Sequence, residues 1–189
     1  YCSKAGGGVA WSDSAAVSVF YADHSSSQVC RVSSADAGFT WDSGACSSAG
    51  AGGVLGLAVV SRGSGQVDVF YGGGGGGASG PVYHRVWAAG DAAWGSATYV
   101  LSGGMSLGGV SQDPGHLALF ANGYCSGGWS LCYREYNVSG GAWGPIRSAG
   151  VPPGWSKSTN GHTVLPASPE GRYELAALSG TGAVYTRSY

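Results

Sequence analysis

Phe20, Phe70 and Phe120 stand 50 residues apart, and each closes an alternating apolar run: "VSVFY", "VDVFY" and "LALFA". A small polar loop follows each run, then a second short run that carries an arginine. Arg31, Arg85, Arg134 and Arg187 come at intervals of 54, 49 and 53, and Trp41, Trp94 and Trp143 trail the first three arginines by 9 or 10 residues. In a fourth unit, "RYELAALSGTGAVYTRSY", the segment Leu175 to Leu178 replaces the aromatic run. An internal period near 50, with several period-2 runs in each unit, restricts the chain to stacked β-sheets of the propeller type or another β array.

Each unit reads as four strands. The first is "GVAWSD", "GLAVVS", "SLGGVS" or "GHTVLPAS"; the second is the aromatic run; the third is "QVCRV", "PVYHRV", "LCYREY" or "AVYTRSY". The fourth holds the tryptophan, and the last unit lacks it because the sequence reaches Tyr189 first. "YCSKAGGG" at the start resembles "ACSSAGAGG" at 45–53, with Cys2 falling on Cys46. The expectation is therefore a single all-β domain: a four-bladed propeller with blades at about 8–50, 53–102, 104–150 and 160–189 plus 1–7, each of roughly 47–50 residues. The N-terminal strand would close the ring and bury two sheet edges. The alternative is a partial propeller completed by a second chain, that is, a homo-oligomer.

Composition narrows the partners. Only 10% of the 189 residues are charged and the formal net charge is −1, which disfavours a nucleic-acid surface. No apolar stretch reaches the ~18 residues of a membrane helix, so no membrane span is expected. The 37 glycines alternate with aromatic and β-branched residues, as in short strands and turns. Cys125 and Cys132 sit on the two arms of a hairpin and predict a disulfide; Cys30 with Cys46 predicts a bridge between neighbouring strands, leaving Cys2 over. The cysteine spacing matches no zinc pattern. Paired cysteines and the sequon "NVS" at Asn137 predict a secreted, extracellular glycoprotein, and the start at Tyr1 predicts a processed or trimmed form.

The layout "VFYADHSSSQVCRV…W", "VFYGGGGGGASGPVYHRV…W" and "LFANGYCSGGWSLCYREY…W" resembles the fungal fucose-specific lectins, the Aleuria-type β-propellers. The resemblance covers most of the chain and rests on strand pattern and spacing. It implies a propeller and a sugar site built from an arginine, a glutamate at the hairpin end and an aromatic of the next blade. That triad is mostly absent. The glutamate position holds only Glu135, against Val32, Val86 and Ser188, and the arginine position holds Ser18, Asp68, Ala118 and Glu174. Fucose recognition therefore does not carry over. Some propellers resembling these lectins are natural-product enzymes, so the fold alone does not fix the function.

The candidate ligand residues follow from the repeat. Arg31, Arg85 and Arg134 with Trp41, Trp94 and Trp143 read as a ring of sugar sites, an indole under a pyranose and a guanidinium donating to its hydroxyls. The competing reading is blade packing, with the arginine stem laid across the tryptophan; it is favoured for most of these positions. Glu135 with Trp129, Tyr133 and Arg134 makes the third blade the leading sugar site. His24, His84, His116 and His162 share no blade position, so no metal centre is expected, and "GGGGGG" at 72–77 lacks the lysine of a phosphate loop, so no cofactor is implied. His162 and Asp13, with Trp11, are catalytic candidates in a central channel. The chain thus reads as a secreted lectin-like binder of a glycan or other small molecule. The alternative is a small propeller enzyme with one site in the channel or at a blade junction.

Overall fold

The computed structural model describes residues 4–11, 16–23, 26–50, 53–63, 65–73, 80–88, 94–125, 127–151, 162–167, 172–178 and 183–189. All the regular structure among them is β-strand. The first sheet is β1 (Lys4–Trp11), β2 (Val17–Asp23), β3 (Gln28–Ser34) and β4 (Ala45–Ser48), in that order. Next come β5 (Val54–Gly63), β6 (Gln66–Gly73), β7 (Pro81–Ala88), β8 (Thr98–Asp113), β9 (His116–Cys125), β10 (Gly128–Asn137), β11 (Ala142–Trp143) and β12 (Arg147–Gly150). These run as one hydrogen-bonded sequence from β5 to β11, with β12 also on β10. The last sheet is β13 (His162–Ala167), β14 (Arg172–Leu178) and β15 (Val184–Ser188).

The aromatic run of each unit and the strand after it form the central hairpin of each sheet. Alternation gives each hairpin two apolar faces, one for each neighbouring sheet. Phe20, Phe70 and Phe120 are fully buried. Phe20 meets Trp94 of the second unit edge-on at 5.7 Å, Phe70 meets Trp143 of the third at 5.9 Å, and Phe120 meets Tyr173 of the last sheet at 6.0 Å. Among the described residues three apolar cores result, one at each junction between consecutive units.

Two expectations change. Lys4 and Ala5 pair with Asp23 and Ala22, so residues 4–7 lengthen the inner strand of the first sheet instead of joining the last one. The glycine-rich "AGGG" runs on into "VAW" along β2, with a register shift between Ala5 and Gly7. The last sheet has three strands among the described residues, and β13 does not pack along β1 as β1 does along β5. Among the described residues the ring is therefore not closed by the N-terminal strand. Cys2 lies outside the described residues.

The second and third units are also not separate sheets. β8 pairs with β7 through its first residues and with β9 through its last, crossing over at Gly103 opposite Gly123. The expected boundary at 102–104 thus falls inside a continuous strand. A side chain at Gly103 or Gly123 would collide with the backbone opposite, and Gly73 likewise abuts Gly53, so the same close crossing recurs 50 residues earlier. Only the later part of each tryptophan-bearing segment pairs in the first two units; Trp41 and Trp94 lie ahead of their strands. Both predicted disulfides are present, Cys30–Cys46 between directly paired residues and Cys125–Cys132 across a hairpin. No helix is long and apolar enough to cross a membrane among the described residues.

Candidate functional site: two clefts at sheet junctions

The strand register divides the four arginines. Arg85, Arg134 and Arg187 lie opposite Val69, Leu119 and Leu175, whereas Arg31 lies opposite Phe20 and is equivalent to His84, Tyr133 and Thr186. The first three therefore face the preceding unit, and Arg31 faces the following one. Arg85 donates to Tyr71 Oη (3.0 Å), Ser47 Oγ and the Ser48 carbonyl (3.1 Å). Arg134 donates to the carbonyls of Gly144 and Val100, and Arg187 to that of Ala149 (3.0 Å). Each ties its own unit to the outer strand of the one before. Trp94 sits edge-on to Phe20 and Trp87. Arg85, Arg134 and Trp94 are thus placed in packing.

Arg31 instead enters a cleft of about 450 Å³ between the first sheet and the second unit, in the size range of small-molecule sites. Its guanidinium lies 4.0 Å over the buried Trp87 ring and donates to Asp42 Oδ2 at 3.2 Å. Burial pushes the guanidinium below its ordinary value, and Asp42 opposes that shift. Asp42 is fixed in turn: its Oδ1 accepts from the backbone N–H groups of Ser33 (2.9 Å) and Gly44 (3.0 Å). The Ser18 and Ser33 hydroxyls share a hydrogen bond of 2.8 Å on the adjoining wall. Trp41 completes the cleft and is 46% exposed.

The loop that presents Trp41 is held by its own polar residues. The Asp36 carboxylate accepts from Ser34 Oγ (2.7 Å), Thr40 N (2.8 Å) and Thr40 Oγ1 (2.6 Å), while Ser34 Oγ accepts from Gly38 N (2.7 Å). Those bonds, Thr40 Oγ1 first, lower the Asp36 carboxyl to about 2. The hydrogen bonds also hold Ala37 at φ 57°, a conformation a non-glycine residue rarely adopts.

A second cleft of about 390 Å³ occupies the equivalent place between the third unit and the last sheet. Glu135, Trp143 and Tyr173 face it together with Gln112 and Asn137. The Tyr173 hydroxyl is pushed up to about 12, by burial first and then by Glu135, Asp113 and Tyr133, so it stays a proton donor at neutral pH. Glu135 is exposed and lies 3.4 Å from Arg147. The predicted third-blade cluster is divided here. Trp129 packs on Tyr124 at the hairpin tip, Tyr133 stacks on Phe120 at 5.3 Å, and Arg134 points to the opposite face. Trp143 joins Glu135 in lining the cleft; Tyr133 is linked to Glu135 through Arg147, which interacts with both, and Trp129 and Arg134 are apart from it.

The junction between the second and third units holds a buried polar cluster. Asp68, fully buried, accepts from Arg62 Nε and bonds His84 Nε2 at 2.6 Å. His84 stacks on Phe70 at 4.8 Å and meets Trp143 edge-on at 5.7 Å. Asp13 lies outside the described residues. His162 belongs to β13, and its side chain, like that of Trp11, lies outside those described. Among the described residues no group of histidine, cysteine and acidic side chains could hold a metal ion.

Sequence reasoning passed over Asp42, Trp87 and Tyr173. Asp42 directly follows Trp41, and the polar-aromatic "FTWDSG" was a usable signal. Trp87 and Tyr173 come from the following unit and only the fold brings them in.

No protein-family model matches the sequence, and no curated protein matches it. Solved structures do. A Hadza microbial sialidase superposes with a TM-score of 0.67 at 14% identity, over 98% of this chain and 44% of that one. The NanB sialidase of Streptococcus pneumoniae superposes with a TM-score of 0.63 at 13% identity, over 94% of this chain and 28% of that one. The lectin of Aleuria aurantia, in complex with alpha-methyl-L-fucoside, gives a TM-score of 0.61 at 16% identity, over 97% and 56%. The chain thus spans between 28% and 56% of the length of these structures. The class these likenesses define is an all-β fold of the β-propeller type, with sheets that are not closed into a ring. Its neighbours are a carbohydrate-binding lectin and carbohydrate-active enzymes.

Proposed function

We propose that this chain is a secreted, lectin-like carbohydrate-binding protein whose principal ligand site is the cleft of Arg31, Trp41, Asp42 and Trp87. The carrying observation is the Arg31–Asp42 pair, fixed on a ring and flanked by a half-exposed indole. The pair presents N–H donors and a carboxylate acceptor side by side with no net charge, as the hydroxyls of a neutral sugar require. Trp41 offers an apolar platform for the ring face. The cleft of Glu135, Trp143 and Tyr173 lies at the equivalent junction and is the competing candidate, with one carboxylate and no arginine among its described lining residues. Binding is preferred to the enzyme alternative because the Arg31–Asp42 pair is held by protein hydrogen bonds in a geometry suited to holding hydroxyls. The two disulfides fit an extracellular setting.

A glycan array selects the ligand, and calorimetric titration compares wild type with Trp41→Ala and Glu135→Gln. Trp41→Ala should weaken binding by about tenfold, equivalent to ~1.4 kcal/mol. Wild-type affinity in Trp41→Ala with a loss in Glu135→Gln would transfer the principal site to the other cleft. No glycan retained on the array, with the protein folded, would defeat the lectin reading.

A further inference from the structure

Asn137 ends β10 where the chain turns through Val138–Gly141, and it lies on the wall of the cleft that holds Trp143 and Tyr173. Its Oδ1 accepts from Ser139 Oγ at 2.7 Å and from Gly140 N at 3.1 Å. Both bonds engage the oxygen. The amide nitrogen has no partner among the described residues, and the residue is exposed. Asn137, Val138 and Ser139 form the acceptor sequence for N-glycosylation.

We propose that a glycan carried on Asn137 covers the cleft between the third unit and the last sheet, leaving the cleft of Arg31 and Trp41 as the open one. In the step required, Asn137 Nδ2 bonds to the anomeric carbon of a lipid-linked oligosaccharide diphosphate. The bond from that carbon to the diphosphate oxygen breaks, the lipid diphosphate leaves, and an amide proton passes to base. Attachment precedes or accompanies folding, and the folded chain needs only to leave room at Nδ2. The first saccharide residue then stands at the rim beside Trp143, whose ring packs on Phe70, His84 and Tyr136 with Nε1 buried, so an attached chain lies over the ring edge left in the cleft before any free ligand reaches it. Nothing equivalent guards the other cleft: its corresponding turn, "SSADAG" at 33–38, contains no sequon. The inference does not depend on either cleft binding sugar.

The full chain is secreted from a eukaryotic host as wild type, Ser139→Ala and Ser139→Thr. Peptide masses should show an attached glycan on Asn137 in wild type and Ser139→Thr and none in Ser139→Ala. Each folded protein is then treated with N-bromosuccinimide, and oxidation of individual tryptophans is followed by peptide mapping. Trp143 should oxidise several-fold more slowly in the two glycosylated proteins than in Ser139→Ala, while Trp41 reacts equally in all three. An unmodified Asn137 in the secreted wild type overturns the proposal. So does a glycosylated protein whose Trp143 reacts as fast as in Ser139→Ala. Neither readout uses a ligand, so failure here and failure of the lectin reading are told apart.

Discussion

Arg31–Asp42 and Arg62–Asp68 join the same two side-chain types at neighbouring sheet junctions, in opposite surroundings. Arg62 and Asp68 have side-chain exposures of 6% and 0%, whereas Arg31 and Asp42 have 16% and 41%. In the buried pair, the carboxylate is consumed by a guanidinium on one oxygen and His84 on the other, and aromatic rings close over it. Such a cluster has no capacity left for a ligand. In the cleft pair, one guanidinium face rests on Trp87 and Arg31 Nε is buried, but the Asp42 carboxylate is 41% exposed and faces the cleft. Residue type therefore does not separate a structural ion pair from a recognition site; the number of uncommitted hydrogen-bonding groups facing solvent does.

The sharpest way to break the comparison is Asp68→Asn. It leaves the buried Arg62 charge without its counterion, and loss of one partner of a buried pair costs about 3–5 kcal/mol. Chemical denaturation should show that loss, while Asp42→Asn should change stability by no more than ~1 kcal/mol. Replacing Arg62, Asp68 and His84 together by Met, Leu and Phe should recover most of the stability. A mild effect of Asp68→Asn would mean that the cluster is not sealed.

A smaller effect separates the two kinds of arginine. Arg85→Ala removes charge-assisted bonds to Tyr71 and to the first sheet and should cost about 1–3 kcal/mol with ligand affinity little changed. Arg31→Ala should show the reverse, near-native stability within ~1 kcal/mol and lost binding. If both variants lose stability alike, the register-based division of the arginines is wrong.

The smallest effect is on pH. The Asp36 carboxyl is held below its unfolded value of 3.8, so its contribution to the Trp41 loop is complete above that value and disappears as pH falls toward about 2. Trp41 fluorescence or ligand affinity should therefore hold steady from neutral pH down to about 4 and decline below it. Asp36→Asn should remove that step.

Much of the fold was legible because period-2 alternation survives in a half-buried strand. "VSVFY", "VDVFY" and "LALFA" fall inside β2, β6 and β9, and the following runs inside β3, β7 and β10. The site was less legible. The arginine intervals look regular, but the hairpin loops differ in length. One residue of offset places Arg31 on the opposite face from Arg85. The same offset makes Ser33, and not Val32, the first-sheet counterpart of Glu135. The buried cluster was accessible in part: Asp68 shares a strand face with Phe70, and a carboxylate on a core-facing position demands a partner. Which partner it finds depends on a bulge near Ser61 and Gly63 that pattern reading does not resolve. The end-to-end closure went wrong because the likeness of "YCSKAGGG" to "ACSSAGAGG" is one of glycine-rich composition, which does not specify a pairing edge.

β8 has a consequence for how the molecule comes apart. Its sixteen residues hydrogen-bond to β7 at one end and to β9 at the other. The second and third units therefore cannot separate without tearing a single strand out of both. In hydrogen–deuterium exchange, amides from β5 to β10 should become labelled together, with the slow rates of one cooperative block. The amides of β2, β3 and β14 should open independently and sooner. Under a pulling force, or in a protease, the outer sheets would be shed as detachable leaves and the middle would persist as a protected remnant.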